Sequence, residues 1–183
     1  MEAIRSLSED LKNIIDFLSR NNIRHALAGG LAFSALVEPR ATIDIDLLIS
    51  ADVKDIPKIT ESLKKQYPDM LPHTEPMTFG FTKIWRVVNL AGRSEIIIDF
   101  ILAEAEFHQT VLNRAAPLSF LGTAVNTVSI EDLILMKAVS KRLQDLADIE
   151  KIARFFAEDI DREYILSWMP KLNIQPGVLD YIL

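Results

Sequence analysis

The sequence predicts a mixed α/β lobe over residues 1–128 followed by a small helical lobe over residues 129–183, and three observations lead there. Short apolar runs at 23–28, 42–49 and about 79–102 alternate with segments of helical period at 8–21 and 55–66. Two adjacent glycines, Gly29 and Gly30, stand where the first apolar run gives way to a short helix. After Ser129 every segment carries helical period, at 130–140, 142–157 and 162–169, with a short C-terminal piece.

Taken in order, residues 8–21 place Leu11, Ile14, Ile15 and Leu18 on one helical face, and Ser6 with Glu9 fits a capping box near its start. Ile23–Ala28 reads as a strand, and Leu31–Val37 as a short helix ended by Glu38-Pro39. Thr42–Ile49 is a strand that carries two carboxylates. Asp55–Gln66 is a helix with Ile56, Ile59 and Leu63 in line, and Pro68, Pro72 and Pro76 break up the loop after it. Residues 79–102 read as a hairpin about the turn Ala91-Gly92-Arg93. A helix at 104–113 and one or two short strands within 117–128 complete the first lobe. Ser129-Ile-Glu-Asp is a second capping signature, opening the helical lobe. A cleft between the lobes is the expected place for a site.

Composition sets the outer limits. The chain has 183 residues, about half of them hydrophobic and a quarter charged, which is ordinary for a globular protein. It has no cysteine, so disulfides and thiolate zinc sites are excluded. No segment has the form of a signal peptide or the ~18–20 apolar residues of a membrane span, so a cytoplasmic protein without a membrane partner is expected. A net charge of −6 argues against broad non-specific nucleic-acid binding, while leaving room for RNA held on a local basic face.

The chemistry concentrates in Asp44-Ile45-Asp46. Side chains alternate along a strand, so both aspartates share one face while Ile43, Ile45 and Leu47 take the other. Two carboxylates held together on an apolar strand repel each other unless a cation neutralises them. Hard oxygen donors suit Mg²⁺ or Mn²⁺, and Mg²⁺ commonly adds substrate phosphates to its few carboxylate ligands. The paired glycines let backbone N–H groups approach those phosphates beside a helix N-terminus. Each feature alone is ordinary, a strand-to-helix turn or a solvated strand face; the combination at this spacing favours nucleotide chemistry. A haloacid-dehalogenase-like site is excluded because the Asp-x-Asp is not followed by x-Thr.

The Gly-Gly turn, short helix and Asp-x-Asp strand resemble the nucleotidyltransferases of the DNA polymerase β-like superfamily, over roughly residues 23–102. The resemblance implies a nucleotidyltransferase-type mixed sheet flanked by helices. It implies a third carboxylate on a neighbouring strand, for which Asp99 in Ser94-Glu-Ile-Ile-Ile-Asp-Phe is the candidate, with Glu95 a weaker and exposed one. Asp44, Asp46 and Asp99 would hold one or two ions. Gly29 and Gly30 would cradle the phosphates of a nucleoside triphosphate, with Arg40 as a further phosphate contact. The implied reaction moves a nucleoside monophosphate to an acceptor hydroxyl on RNA, a small molecule or a protein, and Asp99 would serve as general base.

The helical lobe adds Lys137, Lys141 and Asp148, which fall within a narrow arc with Asp145 just beside it if the helix continues through Arg142. As surface residues they amount to no more than i,i+4 pairing, worth about 0.2–0.5 kcal/mol for Lys141 with Asp145. The pattern is also similar to the Lys…Arg-x-x-Asp-x-x-Asp element of AbiE-type toxin nucleotidyltransferases, in which Lys137 and Asp148 would face substrate. Two departures stand out. The helical lobe is short for that group, which implies a reduced acceptor site or one completed by a homodimer or an antitoxin-type partner. Leu31 also follows Gly30, where the group often has a hydroxyl residue. The alternative reading is a catalytically inactive protein of this fold that binds a nucleotide or a partner and regulates it. His25, His73 and His108 lack metal-ligand spacing, and Trp85 and Trp168 are expected in the core.

Overall fold

Strand β2 (Ile45–Ile49) is the axis of the molecule, with β1 (His25–Leu27) antiparallel on one side and β6 (Ile96–Leu102) parallel on the other. The computed structural model describes residues 2–42, 44–90, 95–180 and 182; Ile43 and the turn Ala91-Gly92-Arg93 lie outside the described residues. Strand β5 (Thr82–Asn89) pairs antiparallel with β6, and β3 (Met70–Pro72) and β4 (Met77–Phe79) share its outer edge. On the other flank β8 (Thr123–Thr127) runs parallel to β1 and antiparallel to β7 (Ala116–Phe120). The order is β3-β5-β6-β2-β1-β8-β7, eight strands with β4 included. The fold is therefore the mixed sheet flanked by helices that the sequence predicts.

Period-two alternation separates the faces of this sheet. Ile45, Leu47 and Ile49 pair in register with Ile98, Phe100 and Leu102, and all six are buried. Trp85, in register with Phe100, stacks on it at 5.3 Å between ring centroids and donates its indole N–H to the His73 carbonyl. Helix α1 (Glu2–Arg20) is tied to this layer. Asn89 donates to Asp10, and Phe17 meets Tyr67 edge-on beyond helix α3 (Ile56–Gln66). Helix α1 begins at Glu2 and Leu7 packs against the core, while the Ser6 side chain of the expected capping box lies outside the described residues. The proline-broken loop after α3 holds β3 and β4, strands that the sequence reading missed because each is only three residues long.

The opposite sheet face carries the polar row described below. Helix α2 (Gly29–Leu36) leaves β1 at the glycines and packs on β2 and on α5 (Ile130–Ser140). Ser129 caps α5 as its sequence signature predicts, its hydroxyl accepting from the Asp132 N–H. The helix stops at Lys141, which adopts a left-handed conformation (φ 55°), and α6 (Leu143–Phe156) starts after Arg142. The conditional single helix through Arg142 is thus a helix–turn–helix, and its stripe is replaced by contacts between two helices. Helix α4 (Glu106–Arg114) is joined to α5 and α7 (Arg162–Trp168) through Asp132, which accepts from Arg114 Nε and from the Tyr164 hydroxyl at 2.6 Å. One buried apolar cluster runs through both halves of the chain, and Trp85 and Trp168 both belong to it. Among the described residues no helix is long and apolar enough to cross a membrane.

Candidate active site

Parallel pairing of β2 with β6 puts Asp46 directly beside Asp99, and antiparallel pairing of β6 with β5 puts Arg86 on the other side of Asp99. The three side chains form one row across the sheet, flanked by Ile84 and Ile101 on one side and Val88 and Ile97 on the other. Asp99 is buried and its carboxylate is held by the Arg86 guanidinium in a two-pronged pair, Nε to Oδ1 at 2.8 Å and Nη2 to Oδ2 at 2.7 Å. Asp44 is half-buried just before β2, and its charge acts on both Asp46 and Arg86.

Asp46 sits against the glycine turn, where its carboxylate accepts the Gly30 N–H. Burial, followed by the neighbouring Asp99 charge, pushes its carboxyl up to about 6, with Asp44 adding to the push and the Gly30 bond and the charge of Arg142 opposing it. Gly29 has φ +59°, and a Cβ built there would lie 1.9 Å from Asp46 Oδ2. The turn is glycine because the carboxylate occupies the space of a side chain. Ala28, the residue before α2, offers no side-chain cap.

The second cluster lies where the helical segments meet α2. Lys137 is buried, and its ammonium donates to Asp145 Oδ1 (3.0 Å) and Asp148 Oδ2 (2.6 Å). Asp148, fully buried, also accepts from Gln144 and from Arg40. Arg40 in turn lies against Gly30, its Nη2 3.3 Å from where a Gly30 Cβ would stand. Asp145 accepts from Arg142 Nε at 2.6 Å and from the Ser140 hydroxyl. Burial opposes ionisation of Asp145, but the Arg142 and Ser140 bonds and the Lys137 charge outweigh it and hold the carboxyl below its ordinary range. The Arg142 side chain remains largely exposed, at 76%, within the field of Asp46.

Of the residues singled out from the sequence, Asp46, Asp99, Gly29 and Gly30 are thus neighbours on the sheet face with the Asp44 charge close by, while Arg40, Lys137 and Asp148 form a chain of ion pairs leading to Gly30. Among the described residues no three acidic, histidine or cysteine side chains converge as a metal-holding group, and Asp99 is engaged by Arg86. A cavity of about 550 Å³ opens elsewhere, around Arg24, Ser50, Lys54 and Asn113 beyond the C-terminal end of β2, and includes none of these aspartates. Sequence reasoning missed Arg86. Its meaning comes from the register of β5 with β6, which sets it beside Asp99.

Solved structures of low sequence identity share this fold. An antigenic nucleotidyltransferase-like protein from Paracoccidioides brasiliensis is 20% identical, with TM-score 0.57 over 97% of this chain and 93% of that one. The antibiotic-resistance factor ANT(2″)-Ia, solved with adenylyl-2″-tobramycin, is 14% identical, with TM-score 0.58 over 92% and 97%. The lincosamide antibiotic adenylyltransferase LnuA, solved with lincomycin, is 12% identical, with TM-score 0.53 over 79% and 94%. No curated protein matches the chain. Residues 2–171 match the model of a family described as nucleotidyltransferases of unknown function (DUF6036), nearly the whole length, and the chain belongs to that nucleotidyltransferase family.

Proposed function

We propose that this nucleotidyltransferase uses Mg²⁺ or Mn²⁺ to move a nucleoside monophosphate from a nucleoside triphosphate to an acceptor hydroxyl. The observation that carries the reading is the register pairing of Asp46 with Asp99, with the Gly29–Gly30 turn against Asp46. The donor set suits a hard divalent cation that completes its shell on substrate phosphates: Asp46 and Asp99 stand in register with Asp44 two residues before Asp46, the Arg86 guanidinium pairs with Asp99 alone, and burial followed by the Asp99 charge pushes the Asp46 carboxyl upward. Asp44, Asp46 and Asp99 would be its ligands. Such a cation, when bound, neutralises triphosphate charge and acidifies an acceptor hydroxyl.

The chain's own residues do the rest. The helix α2 N-terminus favours the anionic triphosphate. Arg40 and Arg142 supply guanidinium groups on the same side, and Lys137 with Asp148 serves the substrate by fixing Arg40. The acceptor oxygen attacks the α-phosphorus, the bond to the bridging oxygen of the β-phosphate breaks, and pyrophosphate leaves. The acceptor's proton passes to Asp99. The Lys137, Arg142, Asp145 and Asp148 set supports grouping the chain with AbiE-type enzymes and an RNA acceptor, whereas the ANT(2″)-Ia and LnuA likenesses support a small hydroxylated one.

Transfer of label from each α-labelled nucleoside triphosphate, with Mg²⁺, into total RNA, aminoglycosides, lincosamides and cell protein tests this. Label incorporated by the wild type and lost in Asp46→Asn is expected, and the labelled fraction names the acceptor. Equal labelling by both proteins would overturn the assignment of Asp46.

A further inference from the structure

Asp99 has two competing claims on it. On the β2 side stands Asp46, a like charge in register; on the β5 side stands Arg86, which takes both oxygens of the Asp99 carboxylate. A guanidinium fork engages a carboxylate through its two inward lone pairs, the strongest arrangement open to the pair. Arg86 is no ordinary surface residue, because it sits between Ile84 and Val88 in the middle of β5, only about a third exposed, with its partner nearly buried. A cation placed in that row neutralises charge that would otherwise set Asp46 and Asp99 against each other across paired strands.

Resting on the metal-dependent reading above, we propose that Arg86 is a resident counter-ion that competes with the divalent cation for Asp99 and yields that carboxylate when the ion and nucleotide bind. The Arg86–Asp99 pair and cation affinity are then linked: the cation must compete with the guanidinium, and whatever loosens Arg86 tightens the cation. Such an exchange makes the active site self-neutralising before substrate arrives. It also frees a guanidinium beside Asp99 at the moment the triphosphate enters.

The test is Mn²⁺ binding, read from the free-ion electron paramagnetic resonance signal, with Mn²⁺ alone and with α,β-methylene-ATP. Wild type is compared with Arg86→Lys, Arg86→Gln and Asp46→Asn. Lysine keeps the charge but cannot hold both oxygens, so Arg86→Lys should bind Mn²⁺ about tenfold more tightly, the worth of one released charge-assisted hydrogen bond. Arg86→Gln should bind more tightly still, and adding Asp99→Asn to Arg86→Lys should erase the gain. In the wild type, the Arg86 Nε–H resonance, identified by its loss in Arg86→Lys, should shift on saturation with Mg²⁺. Unchanged or weaker binding in Arg86→Lys overturns the inference, as does a gain confined to Arg86→Gln, which would reflect lost charge alone. An Nε–H resonance that stays put while the ion binds also overturns it. Failure of every variant and the wild type to bind Mn²⁺ would instead remove the metal-dependent reading, and this inference with it.

Discussion

Asp46 Oδ2 occupies the place where a Gly29 side chain would be: a Cβ there would approach it to 1.9 Å, with Asp46 Cβ itself at 2.7 Å. The backbone at Gly29 is also left-handed, which costs a non-glycine residue about 1–2 kcal/mol before any clash. Gly29→Ala should therefore lower stability by at least that amount in urea melts. Transfer should fall by about a hundredfold or more, because Asp46 has to move. Gly30 is different: a Cβ there meets Thr42 Oγ1 at 3.1 Å and the guanidinium end of Arg40 at 3.3 Å, contacts that a shift of a few tenths of an ångström relieves. Gly30→Ala should cost far less in both measurements, and equal effects at the two positions would break the link between Gly29 and Asp46.

Asp46→Asn separates chemistry from folding. Asp46 is crowded by the Asp99 and Asp44 charges and is partly buried, so its ionised form is a burden on the metal-free fold. Neutral asparagine keeps the shape and can still accept the Gly30 N–H. The variant should melt no lower than the wild type in chelator-treated buffer at neutral pH, while transfer falls below detection. A large loss of melting temperature would mean that the carboxylate is needed for the fold itself.

The site was legible in the sequence where its geometry is local. Period-two alternation assigns Asp44 and Asp46 to one side of a run whose other side is Ile45, Leu47 and Ile49, and the glycines stand one short helix and one loop before them. Asp99 was legible because a charge interrupts Ile96–Leu102. Arg86 was not, since its meaning depends on hairpin register, and in sequence it is only one polar residue among several in β5. The helical lobe shows the same limit. Lys137, Asp145 and Asp148 do come together, but across the break at Lys141 rather than along one helix, and the positive φ of a lysine is not written in its residue type. The short strands β3 and β4 are held by their pairing with β5, a tertiary cause with no local signature.

Lys137 is the hinge pin of the second cluster. Its ammonium is buried against two carboxylates, and Asp148 is fully buried with Arg40 as its other cationic partner. Removing one partner from such a buried set leaves an uncompensated charge and costs about 3–5 kcal/mol. Lys137→Met should lose that stability, and Lys137→Met with Asp148→Asn should lose less than the two single variants added together. In whatever Lys137→Met protein remains folded, KM for the nucleotide should rise more than kcat falls, because Arg40 loses its anchor. Additive losses with unchanged KM would reduce the cluster to independent buried pairs with no part in holding Arg40 for the nucleotide.

His108 gives the fold an acid limit. The ring is buried on α4 between Phe81 and Phe107, at 5.5 and 5.6 Å between centroids, and among the described residues its Nδ1 has no hydrogen-bond partner. Burial away from compensating charge pushes its pKa down to about 4, from about 6.5 in an unfolded chain. A depressed folded pKa means that the unfolded state takes up a proton first as pH falls. The contribution of neutral His108 is complete above about 6.5, drains away between there and about 4, and amounts to about 2–3 kcal/mol over that span. His108→Phe keeps a ring in the same aromatic pocket and cannot titrate. Unfolding free energies from urea melts at pH 7.5 and pH 4.5 should therefore converge in the variant relative to the wild type, by most of that difference. If both proteins lose stability in parallel on acidification, the acid limit belongs to other groups, and the buried ring is only a packing element.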